Sequence, residues 1–306
     1  MLISNRATNI LLVAVLAVGI AIVAMLASGA RGGPLDPPGA PGSTLPQVEP
    51  RIPISQPASG AGFPIIISDP GSYFLTGNIA APAGKDGIII AAQRVTLDLN
   101  GFVLAGQPSQ KGISDDNIDV RADLLIRNGA ISGWEDGIWA PFFVRSTFED
   151  LRITGHPGGN VQGIHVGSGN TVRRVTATEN GGAGLVIVQQ GSYYAGAVTD
   201  SNLSGNGTGL TIDANNITVR HNVIDGNATG VSIFNSLSWL EDNDITGNTG
   251  YGVVLFGPAS SSLNTVVRNF MPFNSSGPVN DLGAGDRIGA ITSTASSNDV
   301  WSNIAY

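Results

Sequence analysis

The chain contains no cysteine. Disulfides, thiolate zinc sites and cysteine nucleophiles are therefore excluded. Export is not excluded, because secreted proteins can fold without disulfides. Only two lysines occur, Lys85 and Lys111, so few amines are on hand as catalytic bases. The three histidines, His156, His165 and His221, are too scattered in sequence to suggest a copper or zinc cage. Charged residues make up 12% and the net charge is −8. That balance lacks the basic stripe of a nucleic-acid-binding surface and suits a soluble one. Helical periodicity is missing as well. After residue 30 no segment keeps a 3.6-residue apolar repeat over a helical length.

Glycine is abundant, at 42 residues, and part of it is periodic. Gly87, Gly112, Gly137, Gly163, Gly184, Gly209, Gly230 and Gly252 each open a short apolar strand, as in DGIII, TGLTI and YGVVL. Their spacings run from 21 to 26 residues. A period in this range means one stacked supersecondary unit per repeat. A second strand follows in each unit, for example Val95–Leu99 and Ile217–Val219. Hairpins would need two-residue turns at fixed places, and the repeat does not supply them. Equivalent strands stacking in parallel, one coil per repeat, account for the interval. A third column supports this: Asn222 and Asn227, Asn243 and Asn248, and Asn269 and Asn274 all lie five apart. Stacked asparagines can hydrogen-bond along such a ladder. Asn202, Asn206, Asn216, Asn227 and Asn274 also head Asn-X-Ser/Thr triplets, a weak glycosylation signal in a chain this rich in Asn and Thr.

The spacing divides the chain into five parts. Residues 1–30 hold an uncharged apolar run at 10–27 after Arg6, which reads as a cleaved signal peptide or a retained membrane anchor. Either way the repeats are expected outside the cytoplasm, extracellular or in the cell envelope. Residues 31–62 are a Pro/Gly-rich tether. Residues 63–84 are expected to cap the stack, 85–276 to form it, and 277–306 to close it as an irregular coil. The expected fold is all-β, a single-stranded parallel β-helix of about eight coils.

The segments VTLDLNGFVLAG (95–106), LLIRNGAISGWEDGI (124–138), VRHNVIDGNATGVSI (219–233) and LEDNDITGNTGYGVVL (240–255) resemble right-handed parallel β-helix repeats. The similarity is to the pectin-lyase-like superfamily, NosD-like periplasmic proteins included, over roughly residues 63–306. That superfamily spans polysaccharide lyases, hydrolases, epimerases, tailspikes and adhesins, so fold does not select an activity. Polygalacturonase-like members carry Asn-Thr-Asp, Asp-Asp, Gly-His-Gly and Arg-Ile-Lys. Here Asp115-Asp116 and Gly155-His156 match only fragments, and Pro157 follows His156. No family's catalytic set transfers to this chain.

Chemistry is expected on the outward side of the glycine-led strands, two and four residues after each glycine. That places Asp116, Trp139 and His165 on three consecutive coils. With coils about 4.8 Å apart, Trp139 and His165 should touch, and Asp116 should lie about 12 Å from His165. Asp116 and Asp213, four coils apart at about 19 Å, are too distant for a glycosidase carboxylate pair at roughly 5–9.5 Å. Loop acids Asp119, Asp123, Glu135 or Asp136 would have to assist. The acidic loop 114–123 reads as a solvated turn, a general acid/base, or an oxygen-ligand site for calcium. Trp139 reads as a sugar platform or as packing beneath the loop carrying Pro141, Phe142 and Phe143. His165 is the candidate base, and a plain surface histidine is the competing reading. Farther along, Val186, Val188, Phe234, Val254 and Phe256 make the face apolar, as if covered by the C-terminal tail or a partner.

Two functions fit. One is an exported protein that binds a polysaccharide or cell-surface glycan through Trp139, His165 and Asp116, with lyase or hydrolase activity open. The other is a non-catalytic, adhesin-like rod. Neither involves nucleic acid. The membrane enters only through residues 10–27, if they are retained.

Overall fold

The computed structural model describes residues 51–116, 118–192, 195–256, 262–293 and 299–305. The expected signal or anchor at 1–30 and most of the tether lie outside them. Among the described residues no helix is long and apolar enough to cross a membrane. Among the described residues one 3-10 turn, Gly60–Gly62, interrupts a run of strands and turns.

Every strand pair is parallel, and neighbours in space come from successive repeats. One coil runs through three strands, for instance Thr208–Asp213, Ile217–Arg220 and Val223–Asp225. The next runs through Thr229–Ile233, Trp239–Glu241 and Asp244–Thr246. The glycine-led strands stack into a ten-stranded sheet; the second strands form a fourteen-stranded one that some third strands join, while Val223–Asp225 and Asp244–Thr246 pair as a two-stranded sheet. Register is strict: Leu210 pairs with Val231, and Val231 with Val253. This is a parallel β-helix.

Ten strands against eight glycine signals is a difference with a physical cause. Each repeat glycine lies against the carbonyl of its counterpart one coil on. A Cβ on Gly137 or Gly163 would sit 2.6 Å from the carbonyl oxygen of Gly163 or Gly184. On Gly252 it would sit 2.7 Å from the oxygen of Pro278. None of these glycines has a positive φ; steric closeness, and not backbone freedom, selects the residue. Gly277–Asp281 ends this sheet, with no further strand paired to it among the described residues, and carries Pro278 in that slot. At the other end Ile65–Ile67 pairs with Ile88–Ile90 and starts the stack one coil before the first glycine signal. On the other sheet Ile52–Ile54 pairs with Gly71–Leu75, so the array begins before residue 63, inside the segment expected to be tether, and continues into 277–306. Asn303–Ile304 adds a further strand beside Phe270 and Ile291–Thr292.

The inward residue after each glycine builds the core. Ile88, Ile113, Ile138, Ile164, Leu185, Leu210, Val231 and Val253 form one buried column. At the corner between second and third strands, Asn100, Asn128, Asp150, Arg174, Asp200, His221, Asp242 and Arg268 all adopt left-handed backbone. The residue after the corner begins one asparagine ladder. The Asn222 amide donates to Asn243 Oδ1 (3.0 Å), that of Asn243 to Asn269 (2.9 Å), and that of Asn269 to Asn303 (3.2 Å). A second ladder runs Asn180, Asn206, Asn227, Asn248, Asn274 just before the glycines. Asparagine suits both because its side chain donates and accepts at once. Most of these amides also reach a carbonyl of the coil below, as Asn227 does with Leu203 (3.0 Å).

Gly209→Ala tests the steric claim. Its Cβ would meet Ile224 at 2.5 Å, the Gly230 oxygen at 2.7 Å and the Asn227 amide at 2.9 Å. Urea unfolding should show a loss of about 2 kcal/mol or more. Gly77→Ala, with open space around it, should stay within about 0.5 kcal/mol of the parent.

Candidate functional site

The outward column two residues after the glycines runs Ser114, Trp139, His165, Val186. Trp139 is in register with Ser114 on one side and His165 on the other. The Trp139 and His165 rings lie 4.2 Å apart between centroids at 60°. From the preceding coil, Lys111 places its Nζ 4.2 Å from the indole centroid, a cation–π contact. The indole is thus held between Lys111 and His165. It does not stand as the open sugar platform that the sequence suggests, and a ligand would meet its outward edge. Ser114, Ser232 and Val254 of the same column are buried, so the face is open only in part.

His165 Nδ1 lies 3.4 Å from Gln162 Oε1. Burial, and then the Lys111 charge, push the imidazole down to about 4. At neutral pH it is an uncharged hydrogen-bonding group, and a weak base for chemistry there. Asp116 is bound by the Arg121 guanidinium through both carboxylate oxygens, the Nη2–Oδ2 contact being 2.7 Å. Burial alone would raise this carboxyl. The Arg121 hydrogen bonds and charge, with the Ile118 N–H, outweigh it and hold Asp116 below its usual range. Asp116 therefore does not join His165 as a ligand contact; it pins its own loop. Asp136 is pushed up, by burial first and by the Glu135 charge; the Gln162 N–H donated to it (2.8 Å) and Lys111 work against that rise. It is almost wholly buried.

Of the three readings of the acidic loop, the calcium site is the one its contacts do not fit. Asp115 accepts the Phe142 N–H (3.0 Å), Asp116 is taken by Arg121, and Asp123 faces Arg145 at 3.4 Å. Among the described residues no three His, Asp or Glu side chains gather as a metal-holding group. Phe143 is buried in the core while Phe142 stays part-exposed. In the apolar half of the face, Phe234 and Phe256 stack at 4.6 Å with planes 3° apart and remain about half exposed.

The other histidines separate cleanly. His156 is fully buried and takes the rung that asparagine holds in later coils, with Nδ1 3.2 Å from the Trp134 N–H. Burial outweighs its backbone hydrogen bonds and holds it below the usual histidine range. His221 is exposed at the corner, 3.8 Å from Asp200. Among the Asn-X-Ser/Thr sites, Asn206 and Asn227 are buried in a ladder, whereas Asn202 and Asn216 are exposed. Sequence reasoning missed Lys111 and Arg121 as members of this neighbourhood. Lys111 sits three residues before Ser114, outside the outward positions counted from the glycine.

Two outcomes follow from these histidines. A depressed folded-state value stabilises fully above the unfolded value near 6.5 and loses that contribution as pH falls toward the folded one, about 4 for His165. Stability should therefore fall between pH 7 and 5, and His156→Asn and His165→Gln should each recover up to about 2 kcal/mol of that loss in urea titrations. Lys111→Gln should raise the His165 ring value in an NMR pH titration; an unchanged value would remove Lys111 as a cause.

Comparison with known proteins agrees with this geometry. No curated protein matches the sequence. Among solved structures, the pectate lyase Pel9A is 15% identical with a TM-score of 0.54, covering 77% of this chain and 68% of its own. The periplasmic alginate epimerase AlgG, as a D317A mutant, is 11% identical at 0.51, covering 87% and 81%. The Dettilon tailspike protein (gp208) is 12% identical at 0.53, covering 83% of this chain and 60% of its own. At these identities the likeness is one of fold. The family model described as a right handed beta helix region matches residues 111–271, more than half of the sequence. The chain therefore belongs to the right-handed parallel β-helix family.

Proposed function

We propose that this is an exported protein that holds a polysaccharide or cell-surface glycan against the outer side of its glycine-led sheet. The observation that carries the reading is the Lys111–Trp139–His165 stack, with Gln162 at its edge. An indole edge, an uncharged imidazole, an amide and an ammonium together suit hydroxyl groups and a sugar carboxylate. Asp116 contributes indirectly, through its hold on Arg121 and the loop above. Fold neighbours named as a pectate lyase and an alginate epimerase support a carbohydrate ligand. Export rests on the apolar run at 10–27.

Binding is favoured over turnover. Asp116 is kept ionised and paired, His165 is a weak base, and the carboxyl pushed upward, Asp136, is buried. A glycan array with the parent protein, Trp139→Ala and Lys111→Gln tests the reading. The parent should retain at least one acidic glycan, and both variants should lose at least tenfold in affinity. Retention of no glycan would support the rod-like, non-binding alternative. Unsaturated or reducing-end product from the retained glycan would add catalysis.

A further inference from the structure

A groove of about 400 Å³ lies on another side of the β-helix, where second and third strands meet. Two columns line it over three coils. The corner supplies Arg174, Asp200 and His221, and the third strand supplies Thr176, Asn202 and Val223. Parallel bridges Thr176–Asn202 and Asn202–Val223 fix the second column. The hollow exists because those residues are short. One coil earlier the same column carries Arg152, and two coils after Val223 it carries Phe270.

The lining has a specific chemical character. Arg174 is committed: its Nε donates to Asp150 Oδ1 (2.7 Å), and its Nη2 reaches Asp150 Oδ2 (2.9 Å) and Glu149 (3.1 Å). Asp200 and His221 are both more than half exposed, and their closest approach, 3.8 Å, is too long for a hydrogen bond. A single hydroxyl placed between them can donate to the carboxylate and accept from the ring. Beside them stand the Thr176 hydroxyl and the Asn202 amide, with the Val223 side chain as an apolar patch. Neighbouring hydroxyls on a ring with one C–H face match this set. A sugar carboxylate does not, since the Asp200 charge opposes it and the Arg174 guanidinium is already spoken for.

We propose that this groove is a second carbohydrate site, selective for one or two rings of a neutral saccharide. It does not depend on the Trp139 reading, because it lies on a different sheet and shares no residue with that stack.

The test is NMR titration of the full-length protein with cellotriose, maltotriose, mannotriose and trigalacturonate. At least one neutral trisaccharide should shift the His221 ring signals saturably, and trigalacturonate should not. Asp200→Asn keeps a residue that tolerates the left-handed corner and should weaken binding at least fivefold. Val223→Phe fills the groove with a side chain its column already bears at Phe270, and should abolish binding. Trp139→Ala should leave it intact. The proposal is overturned if none of the neutral sugars moves His221, if trigalacturonate binds as well as they do, or if Val223→Phe binds like the parent while folded.

Discussion

The close approach of one glycine to the next glycine's carbonyl is the constraint on which this molecule depends. Hydrogen bonding between parallel strands sets the coil spacing at about 4.8 Å. At that spacing the tight turn into each glycine-led strand leaves no room for a Cβ. The same tightness brings the asparagine ladder onto the glycine: a Cβ on Gly163 would sit 2.8 Å from the Asn180 amide, and on Gly252 2.7 Å from Asn274. Glycine column and asparagine ladder are thus two halves of one joint. One leaves the space, and the other fills it with hydrogen bonds that satisfy buried backbone groups.

Once that joint repeats, the side walls follow. Every outward position is aligned with its counterpart a coil away, so side chains interact as columns. Charged residues use this on the bent sheet. Glu149 is met by Arg173 and Arg174, and Glu241 by Arg220 and Arg268. Pairing within columns removes most arginines and several acids from contention as ligand contacts. Among the groups left at least partly accessible are the Lys111–Trp139–His165 stack on one wall and the Asp200–His221 corner on another.

Much of the architecture could be read from the residues. The repeated glycine and the five-residue asparagine separation both report the joint directly, and Trp139 beside His165 followed from counting outward positions. The ends of the array could not be read this way. Pro278 stands in the glycine's slot on the strand that ends the sheet, where no described strand packs against it, so this coil carries no glycine marker. The corner was hidden for another reason. Arg174 and Arg268 have little intrinsic preference for left-handed backbone, yet the stack imposes it on them. Long side chains were the third blind spot. Lys111 and Arg121 reach Trp139 and Asp116 from positions that period-two counting does not flag, and their contacts turn a platform into a clamped ring and an acid into a loop fastener.

The absence of native thiols gives the register its most direct measurement. Thr211 and Ser232 are paired on adjacent coils, and Val254 follows Ser232 one coil further. In a Thr211→Cys, Ser232→Cys protein, mild oxidation should form an intramolecular disulfide while the fold persists, since directly paired strand positions fall within bridging distance. In a Thr211→Cys, Val254→Cys protein, two coil spacings apart, it should not. Crosslinking of the second pair in preference to the first would contradict the stacking of glycine-led coils in register.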